Sequence, residues 1–216
     1  MNKYTGAFLV ALLIAAVGLK SVSAQEVENE FQSRIEFKSS LKLTDKWKLY
    51  ITPEIRLDES FSIDKYLLEL KGVYKAAKVL SLGASYRFVG NARETKATEY
   101  LHRYALDATL EKKLNRFKPA FRLKYTNYSE DKTDGEFLRY KAGLNYDIKG
   151  SKLTPVISAE AFHELNNNEL YKVRYALGGK YKLKKKNSIN FGYKFDYYLN
   201  EYQNKHILYL GYRIKF

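Results

Sequence analysis

The chain has 216 residues, with 38 Lys and Arg against 24 Asp and Glu, for a formal charge of +14. That length suits one domain with a core of its own, and an apolar content of 45% argues against disorder. The absence of Cys excludes a disulfide scaffold, a Cys-based zinc site and a lipoprotein anchor.

Residues 1–24 have the layout of a secretory signal peptide. Lys3 supplies the positive start, Ala7 to Leu19 the apolar stretch, and Val22, Ser23 and Ala24 the small residues before a cleavage point. The apolar stretch is shorter than the roughly 20 residues that a spanning helix needs. Cleavage after Ala24 leaves 25–216 as the mature domain.

From there the chain alternates with a period of two. Eleven candidate strands follow at 31–43, 47–57, 64–76, 79–90, 99–112, 117–128, 136–149, 153–164, 169–183, 187–199 and 204–216. Leu82, Ala84, Tyr86 and Phe88 oppose Gly83, Ser85 and Arg87. Leu138, Tyr140, Ala142 and Leu144 oppose Arg139, Lys141 and Gly143. The same rhythm sets Tyr171, Val173 and Tyr175 against Lys172 and Arg174, and Ile189 to Tyr197 against Asn190 to Asp196. Such alternation gives each strand one apolar and one polar face. Soluble strands usually run about 5–6 residues, whereas a tilted membrane strand needs about 9–11. The lengths therefore predict an all-β fold, an antiparallel transmembrane β-barrel.

Short connectors alternate with longer ones, the arrangement of outer-membrane barrels. Counted with their flanks, the short connectors (43–48, 75–79, 111–118, 149–152, 182–187) carry a net +12. The longer ones (58–65, 91–99, 128–136, 164–169, 199–205) carry a net −7. The two rims thus differ in sign. Lys184, Lys185 and Lys186 make the most basic turn, which reads as a solvated turn that assists orientation. A bacterial barrel normally needs an even strand number, so the expectation is 12 strands, with 10 as the alternative.

Arg56, Arg87, Arg103, Arg122, Arg139, Arg174 and Arg213 share the parity opposite the apolar set. So do Glu36, Glu54, Glu69, Asp107, Asp147, Glu160 and Asp196. A charge facing the bilayer midplane costs about 2–4 kcal/mol, which assigns these residues to the lumen. Two readings follow: Arg–carboxylate rungs that plug a narrow barrel, or a small anion-preferring channel. The plug is the first reading, because long side chains fill so narrow a barrel. Trp47, Phe117, Tyr146, Tyr181 and Phe216 form one outward aromatic girdle. Tyr66, Phe88, Tyr104, Tyr140, Tyr171 and Tyr197 form the other. Girdles explain the Tyr excess better than a nucleic-acid stacking surface does.

The chain ends with Tyr212, Ile214 and Phe216 alternating outward. This resembles the C-terminal strand that the bacterial barrel-assembly machinery reads. A wider resemblance is to the bacterial outer-membrane family named domain of unknown function 2490. Its carriers are Trp47-Lys48-Leu49 leading to Pro53-Glu54-Ile55-Arg56, then Tyr86-Arg87-Phe88, His102-Arg103-Tyr104, Leu138-Arg139-Tyr140, Val173-Arg174-Tyr175 and Gly211-Tyr212-Arg213. The resemblance implies an outer-membrane barrel of a Gram-negative bacterium, of Bacteroidota type, and brings no activity with it.

The remaining chemistry is sparse. His102, His163 and His206 fall near the long-connector ends with outward parity, on three separated strands, so no metal site is expected. An outer-membrane lipid hydrolase or acyltransferase is the enzyme class to weigh. None of the three His has a Ser two positions away, and no GxSxG elbow occurs. The expectation is a barrel without enzymatic activity or cofactor, surrounded by outer-membrane lipid. A soluble secreted barrel with a ligand inside would need the opposite faces, polar outside and apolar inside.

Overall fold

The computed structural model describes residues 28–92, 97–128, 135–184, 186–199 and 203–216. The signal peptide expected at 1–24, Lys185, and parts of three long connectors lie outside the described residues.

Eleven strands build the described fold, and no helix accompanies them. They are β1 (Glu28–Lys42), β2 (Trp47–Leu57), β3 (Ile63–Lys75), β4 (Leu80–Asn91), β5 (Glu99–Glu111), β6 (Phe117–Thr126), β7 (Phe137–Tyr146), β8 (Leu153–Glu164), β9 (Glu169–Lys182), β10 (Asn187–Tyr198) and β11 (Gln203–Lys215). They follow one another around a closed barrel in chain order. Closure leaves no strand edge unpaired.

The closure corrects the expected counts of 12 and 10. β1 pairs with β11 in parallel, from Glu28 opposite Gln203 to Ser40 opposite Lys215. Both strands run from the long-connector rim to the short-connector rim. Two strands of like direction can pair only in parallel, so an odd number closes with no further strand. The wholly antiparallel expectation fails at this one seam. At its lower end the Phe216 N–H donates to the Ser40 carbonyl at 2.9 Å.

The outward face is apolar along the whole ring. Leu106, Leu177 and Leu208 are each 62% exposed. Aromatic rings pair at both rims. Near the short connectors Trp47 packs on Tyr74 at 5.0 Å, Phe117 on Tyr146 at 4.9 Å and Phe37 on Tyr212 at 5.6 Å. Near the long connectors Phe88 stacks on Tyr100 at 5.5 Å.

Tyr171 departs from the expected girdle. Lys172 pairs with Phe162 and Leu170 pairs with His163, so Tyr171 is the extra residue of a β-bulge. The bulge turns its ring away from the outer face. It is buried beside Phe137 and Tyr198 in a cluster that also holds Phe162. Strict alternation cannot anticipate this, because a bulge resets which residues share a face.

Candidate functional site

The lumen collects the charged side chains. On β9 and β10, Arg174 and Asp196 are direct cross-strand partners. Arg174 Nη2 donates to Asp196 Oδ2 at 2.6 Å, and Lys172 Nζ donates to the same oxygen at 2.8 Å. Lys172 also donates to the Tyr198 hydroxyl at 3.2 Å. Lys172 and Asp196 are wholly buried. Two residues apart on one strand, Lys172 and Arg174 share a face, so a single carboxylate across the ladder can serve both.

A second knot joins β6, β7 and β8. Glu160 accepts from Arg122 Nη2 at 2.7 Å and Arg139 Nε at 3.0 Å. Lys141 Nζ lies 3.9 Å away. Phe162, fully buried, sits between the two knots. Arg139 lies over its ring at 4.2 Å, Lys172 at 4.9 Å and Arg174 at 5.3 Å. Aromatic faces attract cations most where water is excluded.

Further pairs continue around the wall. Arg87 Nη2 donates to Glu69 at 2.8 Å, and Arg56 Nε donates to Glu54 at 2.7 Å. Lys71 pairs with Asp107. Lys205 meets Glu30 at 2.9 Å. Arg34 Nε donates to Gln32, which itself donates to Asp64 at 2.8 Å. Arg103 is buried over the Tyr128 ring at 5.6 Å. Burial raises the Tyr128 hydroxyl above the ordinary tyrosine range.

Among the residues assigned to the lumen, Arg56, Arg103, Arg139, Arg174, Glu54, Glu160 and Asp196 are buried. Arg87, Glu69, Arg122 and Asp107 are half-buried in pairs, and Arg213 is half-buried near the short-connector rim. Asp147 is not brought among them. It follows the last residue of β7, is exposed, and gives its N–H to the Arg116 carbonyl. Tyr212, Ile214 and Phe216 alternate with Gly211 and Arg213 at the end of β11, and Phe216 is 64% exposed.

The residues assigned to the lumen from the sequence leave out Lys172, Lys124, Arg34 and Glu164, all buried, although the alternation already sets Lys172 on the polar face of its strand. Their parity was the available signal. Lys172 precedes Arg174 by two, and Lys124 follows Arg122 by two. Phe137 and Phe162 share that inward parity, and no rule of charge would have drawn attention to them.

The three His residues lie on the outer side. Tyr86 Oη approaches His102 Nδ1 at 2.6 Å, and Tyr193 Oη approaches His206 Nδ1 at 2.5 Å. His206 Nε2 meets Asn29 at 3.1 Å, and His163 Nε2 meets Asn168 at 3.0 Å. Among the described residues no three His, Asp or Glu come together as a metal site would require.

A family model described as a protein of unknown function (DUF2490) matches residues 32–206, more than half of the chain. No curated protein sequence matches it.

Proposed function

The chain belongs to the DUF2490 family of proteins of unknown function, and we propose that its barrel spans the outer membrane of a Gram-negative bacterium with a plugged lumen. Strands of 10 to 15 residues suit the hydrocarbon thickness. A soluble monomer rarely exposes an apolar patch above a few hundred Å², and here an apolar band encircles the molecule. Aromatic pairs at both rims suit the two interfaces. Export relies on residues 1–24, and Tyr212, Ile214 and Phe216 form the strand end that the assembly machinery reads.

The observation that carries the plug is the pair of buried knots on Asp196 and Glu160 with the Phe162 ring between them. Pairing and burial hold these long side chains across the interior, which supports a lumen closed to ions. Opening a path would strand charges in a low dielectric, at about 3–5 kcal/mol for each broken pair.

The test is conductance in a planar bilayer, after heat-modifiable gel migration has established folding. We expect a silent wild type, and discrete steps once Phe162→Ala and Tyr198→Ala are combined. A second reading, a small anion-preferring channel, is supported by the excess of inward cations. It predicts anion-preferring steps from the wild type, with selectivity altered by Arg139→Gln and Arg174→Gln. A lipid-modifying enzyme has less support, because the His rings engage Tyr86, Tyr193, Asn29 and Asn168. Lipid profiling of a deletion strain carrying His102, His163 or His206 variants checks it.

A further inference from the structure

We infer that the short-connector mouth of the lumen is a binding site for a phosphate-bearing anion, held by Lys180 and Arg213. The two halves of the lumen differ in how they treat charge. In the long-connector half, Arg174, Arg139, Arg87 and Lys205 each have a carboxylate within ion-pair reach. In the short-connector half, the inward positions of β8 through β11 hold no Asp or Glu at all. Small residues take their place, among them Ser158, Ala176, Gly178 and Gly211. The same stretch carries Lys180, Lys182, Arg213 and Lys215 inward.

These cations are neighbours. Lys182 stands opposite Ser188, which stands opposite Arg213 on its other side. The charges that act on Lys180 are those of Arg213, Lys215, Lys118 and Lys182, all positive. Across the parallel seam, Lys38 is the partner of Arg213 in register. The nearest inward carboxylate on that side is Glu36, level with Gly211. Lys118 is matched by Glu111 at 2.7 Å, but Lys180 and Arg213 have no carboxylate within 4 Å among the described residues.

Arg213 adds a second, independent observation. Its Nε is buried and has no hydrogen-bond acceptor among the described residues. A buried donor left unmet is unfavourable, because its lost hydration is not replaced. An oxyanion seated at the mouth meets that donor and offsets the repulsion among the cations. The planar guanidinium fork fits phosphate oxygens in pairs, and a phosphate with more than one charge can answer more than one cation. Lys182 and Lys215 are exposed at the rim and Lys180 and Arg213 half-buried behind them, so the positive potential leads inward. The site follows from the wall of the barrel. It stands whether or not the plug conducts, and its failure leaves the conductance result untouched.

The experiment titrates inorganic pyrophosphate against full-length protein folded in a neutral detergent, reading thermal stability and calorimetric heat. Saturable binding is expected for the wild type. Lys180→Gln with Arg213→Gln should weaken it at least tenfold. Lys149→Gln with Lys152→Gln, exposed cations on the same rim, should leave it unchanged. Lys180→Gln alone serves if the first pair does not fold. Two outcomes overturn the site: chloride at matched ionic strength reproducing the response, or both variant pairs responding like the wild type. Repeating the titration in phosphatidylglycerol and phosphatidylcholine nanodiscs separates the sources. A response diminished only in phosphatidylglycerol assigns the site to lipid headgroups, and an equal response assigns it to a free anion.

Discussion

The Lys71 ammonium on β3 reaches the Asp107 carboxylate on β5 by passing over β4 at Gly83. A Cβ at that position would lie 2.6 Å from Asp107 Oδ2 and 2.8 Å from Lys71 Cε. The missing side chain is the passage that lets strands two apart exchange charge. Gly83→Val should therefore separate the pair and destabilise the barrel by about 3–5 kcal/mol, the usual cost of stranding a buried ion. Urea unfolding in detergent measures it. Adding Asp107→Asn to Gly83→Val should cost little more, and full additivity would show that Gly83 does not protect this pair.

Asp196 is wholly buried and serves two buried cations, so its loss should be strongly damaging. Asp196→Asn keeps the shape and leaves Lys172 and Arg174 side by side without a counter-charge. A loss of about 3–5 kcal/mol is expected. Lys172→Met in the same background should recover part of it, since one buried like charge is removed. The unfolding midpoints of the wild type and the two variants decide the point.

The parallel seam makes a prediction about covalent geometry. Ser39 and Ile214 are partners in register on the outer side of β1 and β11. Ser39→Cys with Ile214→Cys should form a disulfide under mild oxidation, visible as a shift on a non-reducing gel. Ser39→Cys with Leu208→Cys should not, because the partner of Leu208 is Ser33. Cross-linking of the second pair in preference to the first would mean an antiparallel or differently staggered closure.

The connector after β2 has its own pH response. The Asp58 carboxylate accepts from the Ser60 N–H, the Ser60 hydroxyl and the Ser62 N–H, each at 2.9 Å. These bonds hold it below the ordinary carboxylate range, the Ser60 hydroxyl contributing most. A depressed folded-state value means the turn is supported above the unfolded value and loses that support as pH falls through the folded one. Amide protection at Ser60 and Ser62 should decline at acid pH in the wild type. In Asp58→Asn it should be low throughout and show no such step.

Much of this architecture is legible in the residues because a strand has an integral period. Arg139 and Glu160 share the inward parity of their strands, and that alone places both inside the ring. Parity says which face a side chain takes, but not which partner it finds. Arg139 shares Glu160 with Arg122, and only the register of β6, β7 and β8 decides that. Tyr171 shows the limit more sharply. One inserted residue moves its ring from the outer girdle into the core, and nothing local in Leu170-Tyr171-Lys172 announces the bulge. The strand count failed for a different reason. Evenness is a rule about antiparallel neighbours, and the chain closes with two strands that point the same way.

That closure gives the tube a direction. A wall of even strands begins and ends at the same mouth, so its two loose ends can be tied together and the ring reopened elsewhere. Here the wall enters at Glu28 on one rim and leaves at Lys215 on the other. Thirteen residues of β11 put about 40 Å of strand between them. A tag fused ahead of Glu28 and another after Phe216 would emerge at opposite mouths of the barrel. No short linker could join those ends, so rearranging the order of strands would require threading the barrel itself.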